Sequence, residues 1–310
     1  MSSGAFRSWL LTRLPRRRRL LQRLHLGWLW QAAVNYVDRA REPIRTCLHG
    51  LPAWLNPGNP YPYVIADIPS FNRPLIELVA QMYRMANRPL TVIDVGASLG
   101  NTALLLMGHG RDMLGQLHCV EGDSAFFALL ERNTGSFQNI KRHQAMLARR
   151  SGPVRALVHH HPGTAGASAD AMVAATTLDD LLLAQAPRYD VLKIDIDGSD
   201  GEALAGATRL LARDQPATIF EWHPHLLKQA GHDPLVAFAT LRAAGYDTFL
   251  WFSNRGAFSH FSPGEPGEIE KWRRYLLALQ PHGDPHFDVI ALPPGLHPLE
   301  LPLASFGIAP

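Results

Sequence analysis

The first residues that could do chemistry lie around a glycine-containing turn. An apolar run, Val92–Val95, contains Asp94 and leads into a segment with Gly96 and Gly100. Glycine lets the backbone turn tightly and approach a ligand. A helix that begins near Asn101 would present free N–H groups to an anion. The pattern therefore predicts a ligand-binding loop over residues 94–101.

The residues inside this loop leave several interpretations open. The loop reads Gly-Ala-Ser-Leu-Gly, so the central glycine of a dinucleotide fingerprint is missing. The spacing also matches the nucleophile elbow of serine hydrolases, with Ser98 as the nucleophile. Alternatively, Ala97 and Ser98 face a cofactor such as S-adenosylmethionine. The helix start would then bind its carboxylate and Asp94 its ammonium group. A turn without any ligand is the simplest interpretation.

An acidic residue downstream distinguishes these interpretations. Glu121 ends the next apolar run, 21 positions after Gly100. In a doubly wound sheet this spacing places the carboxylate beside the first loop, where it can hold two ribose hydroxyls. A hydrolase does not need this residue, so Glu121 favours a nucleoside cofactor. Further cofactor contacts are predicted at the ends of the second and third strands, at Gly122, Asp123, Gln144 and Ala145.

A second group of ionisable residues follows a later apolar run. Lys193, Asp195 and Asp197 alternate along the chain, and Glu221 and His223 end the next run. Alternate residues of a strand share a face, and burying several charges there is costly unless they are paired or used. We expect Asp195 or His223 to accept a proton from an acceptor hydroxyl, with Lys193 and Glu221 orienting the acceptor. In the alternative, Asp195, Asp197 and Glu221 hold a divalent cation such as Mg²⁺.

The elements that must position these residues alternate between strand-like and helical patterns. This alternation predicts a Rossmann-like α/β fold, with a mostly parallel, seven-stranded sheet and helices on both faces. One of the last two strands could be antiparallel, because no long helix of the earlier kind separates them. The predicted strands are Thr91–Val95, Gln116–Val120, Ile140–Met146, Val191–Ile196, Thr218–Trp222, Asp247–Phe252 and Phe287–Leu292.

The N-terminal part of the chain differs from the rest. Residues 1–60 are predicted to form a basic amphipathic extension, and residues 61–310 the catalytic domain. A helix opening at Pro15 would carry Leu20, Leu21, Leu24, Trp28 and Gln31 on one side. Residues 7–38 could thus contact an anionic membrane surface, or they could cap the core or meet a partner. The Pro-, Gly- and Asn-rich stretch Leu51–Pro62 is predicted to be a linker.

Composition restricts the protein class. The net charge of +3 owes much to arginines near the start of the chain, so nucleic acid is not expected as a partner. No apolar run could span a bilayer, and the first residues do not resemble a signal peptide. Two cysteines cannot form a disulfide framework, so we expect a cytoplasmic protein, at most peripheral at the inner face of the membrane. Residues 151–172, which include His159–His161, and residues 253–286 are predicted to be loops, with a short strand and a helical piece respectively.

Taken together, these motifs resemble the FkbM family of methyltransferases. The resemblance covers roughly residues 90–225, through the glycine loop, the Thr177-Leu178-Asp179-Asp180-Leu181 run, Lys193–Ala207 and Phe220–Pro224. The chain differs from the family pattern in having Asp197 where Glu is usual. The resemblance implies a methyltransferase dependent on S-adenosylmethionine that methylates a hydroxyl. The partner would be a small-molecule or glycan acceptor. The hydroxyl would belong to a glycan, a glycolipid or a secondary metabolite. A serine hydrolase using Ser98 and a non-catalytic S-adenosylmethionine-binding module are the alternatives.

Overall fold

The structure is a computed structural model that describes residues 3–13, 21, 23–161, 164–283, 285–296 and 306. For residues 3, 155–161, 164–171 and 282 it describes the backbone alone. The helices are α1 Ser3–Arg13, α2 Gly27–Asp38, α3 Tyr61–Asp67, α4 Arg73–Ala86, α5 Asn101–His109, α6 Ser124–Thr134, α7 Leu178–Leu182, α8 Asp200–Ala205, α9 Thr208–Asp214, α10 Pro224–Ala230, α11 Val236–Ala243 and α12 Pro266–Leu279.

The strands are β1 Ile44–Leu48, β2 Leu51–Leu55, β3 Leu90–Val95, β4 Leu114–Glu121, β5 Ile140–Gln144, β6 Met146–Leu147, β7 Gly152–His161, β8 Thr164–Thr176, β9 Val191–Ile194, β10 Ala217–Trp222, β11 Phe249–Ser253, β12 Phe258–Ser262 and β13 Phe287–Ala291. Two short 3₁₀ helices, Arg111–Met113 and Gln280–His282, complete the described elements.

The central sheet has the strand order β12-β11-β13-β10-β9-β3-β4-β5. β10, β9, β3, β4 and β5 are parallel, whereas β13 runs antiparallel to both of its neighbours, β10 and β11. The predicted Rossmann-like α/β fold is confirmed, and all seven predicted strands are present. The prediction of seven strands was one short, because β12 pairs with β11 at the edge.

The order of the strands locates a crevice for ligands. The chain proceeds from β3 to β4 and β5 on one side, and later to β9 and β10 on the other. Ligands of open α/β sheets bind at such a switch point, beyond the carboxyl ends of the strands. Both candidate groups of residues follow strands that flank this point. The topology therefore brings the glycine loop and the second acidic group to one edge.

Buried apolar residues cover both faces of the sheet in two clusters. The Thr-Leu-Asp run helps to fix the helices on one of these faces. The Thr177 hydroxyl accepts the Asp180 N–H at the start of α7, as an N-cap residue does. The Asp179 carboxylate accepts the N–H groups of Arg209 and Leu210, each at 2.8 Å, in the first turn of α9. This run is therefore a helix-capping device, and it acts away from the crevice.

The extension departs from its prediction in two ways. The supposed linker contains β2, which pairs with β1 in an antiparallel hairpin. Residues 24–25 form a turn, and Trp28 belongs to α2, which begins only at Gly27, so the single long helix was wrong. Residues 15–20, with which the predicted helix begins, lie outside the described residues. Apolar residues of the hairpin and of both helices pack against α5 and α6 in a third cluster, which tethers the extension to the sheet.

The segment predicted to be a loop over residues 151–172 is mostly a long hairpin. β7 pairs antiparallel with β8, and β6 pairs parallel with β8, which makes a separate three-stranded sheet. His159–His161 lie in β7, and their side chains are outside the described part. Within the described residues, no helix has both the length and the apolar character needed to cross a bilayer.

Candidate active site

The glycine loop joins the end of β3 to α5. Gly96 has a φ of +75°, and a Cβ there would overlap the carbonyl oxygen of Asp195. Ser98 and Gly100 also have positive φ values, of +49° and +94°. Only glycine adopts such conformations at little cost. The turn is therefore shaped by its close approach to the segment that leaves β9.

Glu121 lies where its spacing predicted, beside the glycine loop. Its Oε2 accepts the Ser98 N–H at 2.7 Å, and its Oε1 accepts the Asp123 N–H at 2.8 Å. Burial raises the pKa of Glu121, and these two backbone donors oppose that shift. The carboxylate therefore locks the loop against the end of β4. Its role in holding ribose hydroxyls stays a prediction.

The other predicted cofactor residues border the same corner. Asp123 is the N-cap of α6 and accepts the N–H groups of Ala125 and Phe126, both at 2.9 Å. Gln144 is the cross-strand neighbour of Glu121, and the Ala145 N–H donates to the Glu121 carbonyl. Gly122 lies under Met146, whose sulfur would collide with a Cβ at that position. In the loop itself, Ala97 is buried and Asn101 opens α5.

Lys193 lies beneath the loop. Its Nζ is 3.0 Å from Asp94 Oδ1 and 3.4 Å from Asp195 Oδ2, and it donates to the carbonyls of Val95 and Gly96. Asp94 is fully buried and is the cross-strand neighbour of Lys193. Burial lowers the pKa of Lys193, but the two carboxylates raise it by more, so the ammonium stays charged.

This geometry gives Lys193 and Asp94 a structural role that the sequence prediction did not include. An ammonium has three N–H donors, and four acceptors already face that of Lys193. Lys193 is therefore a buried counter-ion, and its role in orienting an acceptor stays a prediction. Asp94 has this lysine as an ion-pair partner, and its contact with a ligand ammonium also stays a prediction. The pair joins β3 to β9 at the switch point.

The segment after β9 forms the opposite side of the crevice. The side chain of Asp195 is 50% exposed there, so it is open to an incoming acceptor. Asp197 has a φ of +49° and Gly198 one of +87°. The buried carboxylate of Asp200 lies 3.3 Å from both the Ile196 and the Gly198 N–H groups. Asp200 thus holds the turn that presents Asp195, a role that the sequence prediction missed.

Glu221 lies near the end of β10 and His223 directly follows it, next to the start of β13. Glu221 is the cross-strand neighbour of Asp288, and its Oε1 is 3.3 Å from His286 Nε2. His223 is only 3% exposed, and its Nδ1 accepts the Leu226 N–H at 3.4 Å, capping α10. Its ring stacks on that of His286, with centroids 4.7 Å apart. His223 therefore packs behind the site, while Glu221 faces two residues that were not predicted.

Electrostatics distinguish this edge from an ordinary sheet edge. Burial and the charge of Asp195 raise the pKa of Asp200 to about 8. The same causes raise the pKa of Asp288 to about 8 and that of Glu221 well above its usual range. Carboxyls this close cannot all ionise together, so the buried ones keep protons at neutral pH.

The predicted divalent cation finds no support in this arrangement. Among the described residues, no group of three or more His, Cys, Asp or Glu side chains is placed to hold a metal ion. Asp195 has Lys193 as a cationic neighbour, and Glu221 Oε1 lies 3.3 Å from His286 Nε2. The proposed Asp195–Asp197–Glu221 set is therefore not assembled as a metal site.

His286 and Asp288 carried a signal that the sequence prediction did not use. They flank Phe287 at the start of the last predicted strand. Because β13 is antiparallel to its neighbours, its beginning lies at the carboxyl edge of the sheet. The sequence prediction allowed for an antiparallel strand, but it did not place His286 and Asp288 at the site.

The sequence of the chain matches a known family of methyltransferases. A protein-family model described as the methyltransferase FkbM domain matches residues 94–248, half of the chain. Among solved structures, a methyltransferase FkbM from Methylobacillus flagellatus KT is 15% identical, with a TM-score of 0.42. The alignment covers 74% of this chain and 53% of that one, so the chain spans about half the length of that protein.

Two further structures are similar. M. jannaschii TYW2 in complex with AdoMet is 12% identical, with a TM-score of 0.41 and coverage of 81% of this chain and 86% of that one. The plantazolicin methyltransferase BamL, in complex with a triazolic desmethylPZN analog and SAH, is 11% identical, with a TM-score of 0.38 and coverage of 72% of this chain and 85% of that one. No curated protein matches the chain. On the sequence match over residues 94–248, the chain belongs to the FkbM methyltransferase family.

Proposed function

We propose that the chain transfers a methyl group from S-adenosylmethionine to a hydroxyl group of a glycan, glycolipid or secondary metabolite. The contact between Gly96 and the Asp195 carbonyl carries this proposal. It makes the cofactor loop and the exposed carboxylate two walls of one crevice. When bound, the cofactor supplies the activated methyl group, so the protein need only orient the acceptor and remove its proton.

The residues around the glycine loop fit this cofactor. Each oxygen of Glu121 accepts one backbone N–H, and a carboxylate oxygen can accept a second hydrogen bond. Two ribose hydroxyls match this remaining capacity. Asn101 Oδ1 is buried and has no hydrogen-bond partner among the described residues, so a ligand donor would satisfy it. The N-terminus of α5, next to Gly100, suits the ligand carboxylate.

Asp195 is the candidate general base. Its carboxylate is half exposed, whereas that of Asp200 is buried and holds the turn. A carboxylate that removes the hydroxyl proton during transfer would contribute roughly 10²–10⁴-fold. His223 is the less suitable base because its Nδ1 caps α10 and its ring is buried.

Calorimetric titration with S-adenosylmethionine tests the part of the proposal that concerns cofactor binding. Glu121→Gln removes one of the two acceptor oxygens, so we expect binding about 10–100-fold weaker. Glu131→Gln makes the same change on an exposed position of α6 and should bind as wild type. Equal affinities of wild type and Glu121→Gln would overturn the assignment of this residue.

Transfer of a labelled methyl group tests the part of the proposal that concerns catalysis. The full chain is incubated with methyl-labelled S-adenosylmethionine and fractions of a host extract. We expect one hydroxyl-bearing fraction to take up label. Asp195→Asn should lower that transfer about 10²–10⁴-fold while changing cofactor affinity by less than about threefold. Ser98→Ala, in contrast, should be nearly silent. Cofactor binding without transfer to any fraction would instead identify a non-catalytic module.

A further inference from the structure

The exposed apolar side chains of the protein are concentrated in its N-terminal extension. Among the described residues, ten large apolar side chains are exposed, and half of them belong to residues 6–29. Trp28 is 66% exposed and Trp9 is 45% exposed, whereas the other five tryptophans are buried or half-buried. Several large apolar side chains exposed in one part of a chain point to an interaction surface. The five residues are Phe6, Trp9, Leu24, Trp28 and Leu29.

The same part of the chain carries the positive charge. Residues 1–45 contain ten arginines and two acidic residues, and the remainder of the chain contains 20 basic and 25 acidic residues. The extension is thus strongly cationic on a protein whose remainder is anionic. Several of these guanidinium groups are exposed in the structure, namely those of Arg13, Arg23, Arg39, Arg41 and Arg45.

A cleft of about 570 Å³ lies between α1 and the segment that leads into β1. Four arginines line it, together with Glu42 as its acidic residue and Trp54. Arg7 is held in place, because its guanidinium lies 4.6 Å from the Tyr36 ring and its Nε donates to the Tyr36 carbonyl. Guanidinium groups match phosphate oxygens in geometry and charge. The four lining arginines are Arg7, Arg39, Arg41 and Arg45.

Aromatic side chains adjoin this cleft. Phe6 and Trp9 stack with their ring centroids 6.1 Å apart, and they flank the lining residues Arg7 and Ser8 in sequence. Tryptophan and phenylalanine favour the boundary between headgroups and acyl chains. The exposed leucines of the same extension, Leu24 and Leu29, suit a bilayer better than a nucleic acid, which offers ring faces and phosphates.

The extension is packed onto the catalytic domain. Leu10, Leu11 and Val37 share a buried cluster with Leu99 and Leu104, which belong to the glycine loop and α5. A second link is polar. The hydroxyl of Tyr61 bonds to His49 Nε2 and to the Asn72 amide, both at 2.8 Å. Any surface bound by the extension would therefore hold the crevice in a fixed orientation.

We propose that the N-terminal surface, defined as residues 4–13 and 23–45, binds an anionic lipid bilayer. The arginines of the cleft engage headgroup phosphates, and Phe6, Trp9 and Trp28 enter the interface. The protein thereby works at a membrane and reaches acceptors there. This inference is independent of the methyl-transfer proposal, because lipid binding is measured without cofactor or acceptor.

Vesicle co-sedimentation of the full chain tests the proposal. We expect binding to phosphatidylcholine vesicles containing about one third phosphatidylglycerol to be at least about tenfold tighter than to pure phosphatidylcholine, and to weaken with salt. Tryptophan fluorescence should shift to shorter wavelength on binding. Equal or absent binding to the two vesicle types would overturn the proposal.

Two double variants, each with a control, separate the contribution of the arginines from that of the tryptophans. Arg39→Gln with Arg41→Gln should lower binding to anionic vesicles about tenfold, and Arg150→Gln, an exposed arginine elsewhere, should not. Trp9→Ala with Trp28→Ala should remove the fluorescence shift and weaken binding, and Tyr275→Ala should not. Circular dichroism and thermal unfolding confirm that each variant is folded. Tighter binding to single-stranded RNA than to vesicles, or a stable dimer without vesicle binding, would replace the membrane by that partner.

Discussion

The two sides of the crevice solve the problem of buried charge differently. On the cofactor side, Glu121 accepts two backbone N–H groups, and Asp94 faces Lys193 on the adjacent strand. On the acceptor side, Glu221 faces another carboxylate, that of Asp288. Like charges opposite each other in a sheet are destabilising, and here they keep protons that isolated carboxyls would lose. The carboxylates of the first side are thus paired with a cation or with backbone N–H groups, whereas on the second side burial and neighbouring carboxylates raise the pKa values of Glu221 and Asp288.

The largest effect is expected when the ammonium of Lys193, which faces Asp94, is removed. Lys193→Met leaves Asp94 buried without its counter-ion, so we expect the free energy of unfolding to fall by roughly 3–5 kcal/mol. The measurement is urea unfolding followed by circular dichroism. Lys228→Met, at an exposed position of α10, is the matched control and should change stability by less than about 0.5 kcal/mol.

A second variant identifies the cause of this loss. Adding Asp94→Asn to Lys193→Met removes the unpaired charge, so it should restore a large part of the lost stability. If Lys193→Met alone costs less than about 1 kcal/mol, the ion pair does not stabilise β3 against β9. The buried charge of Asp94 would then not depend on Lys193 for its stabilisation.

The next largest effect is expected at the boundary between the two sides. Gly96→Ala places a Cβ against the Asp195 carbonyl at a φ of +75°. We expect a loss of about 2 kcal/mol in stability and at least tenfold in affinity for S-adenosylmethionine, measured by unfolding and calorimetry. Gly267→Ala is the control, since nothing lies near its Cβ and the residue is helical. Normal cofactor affinity in Gly96→Ala would separate the loop from the binding site.

The same comparison explains how much the sequence could predict. The parallel strands and the position of Glu121 follow from local patterns, because a strand, a turn and a helix are consecutive in the chain. The partner of Lys193 does not follow from them. Lys193 and Asp94 are 99 residues apart, and only the pairing of β9 with β3 places them side by side. The local sequence pattern predicted that Lys193 lies at the edge of the sheet. It could not show that Asp94 is its cross-strand neighbour.

Other differences also arise from pairing between distant strands. His286 and Asp288 join the site because β13 reverses direction. β2 was read as part of a linker over residues 51–62, because the Pro, Gly and Asn residues of that stretch resemble a loop. The strands of the β1–β2 hairpin are instead stabilised by packing on α5 and α6. Burial against a distant element can thus outweigh a weak local preference.

The smallest predicted effect tests the acceptor side by titration. The pKa of Asp288 is raised to about 8, so the folded chain keeps a proton that the unfolded chain loses near pH 4. The folded state therefore binds more protons between about pH 4 and 8, and its stability falls as the pH rises through that window. Asp288→Asn removes this titration and the repulsion of Glu221. We expect it to stabilise the protein by roughly 1 kcal/mol at pH 8 and hardly at all at pH 4.

Urea unfolding across this pH range is the measurement. Asp112→Asn, at an exposed position before β4, should give a pH profile parallel to that of wild type. A gain at pH 4 as large as that at pH 8 would show that Asn simply packs better, because the titration has no influence at the acid end. A loss at pH 8 would mean that ionised Asp288 is needed beside Glu221, and the acceptor side would then be as balanced as the cofactor side.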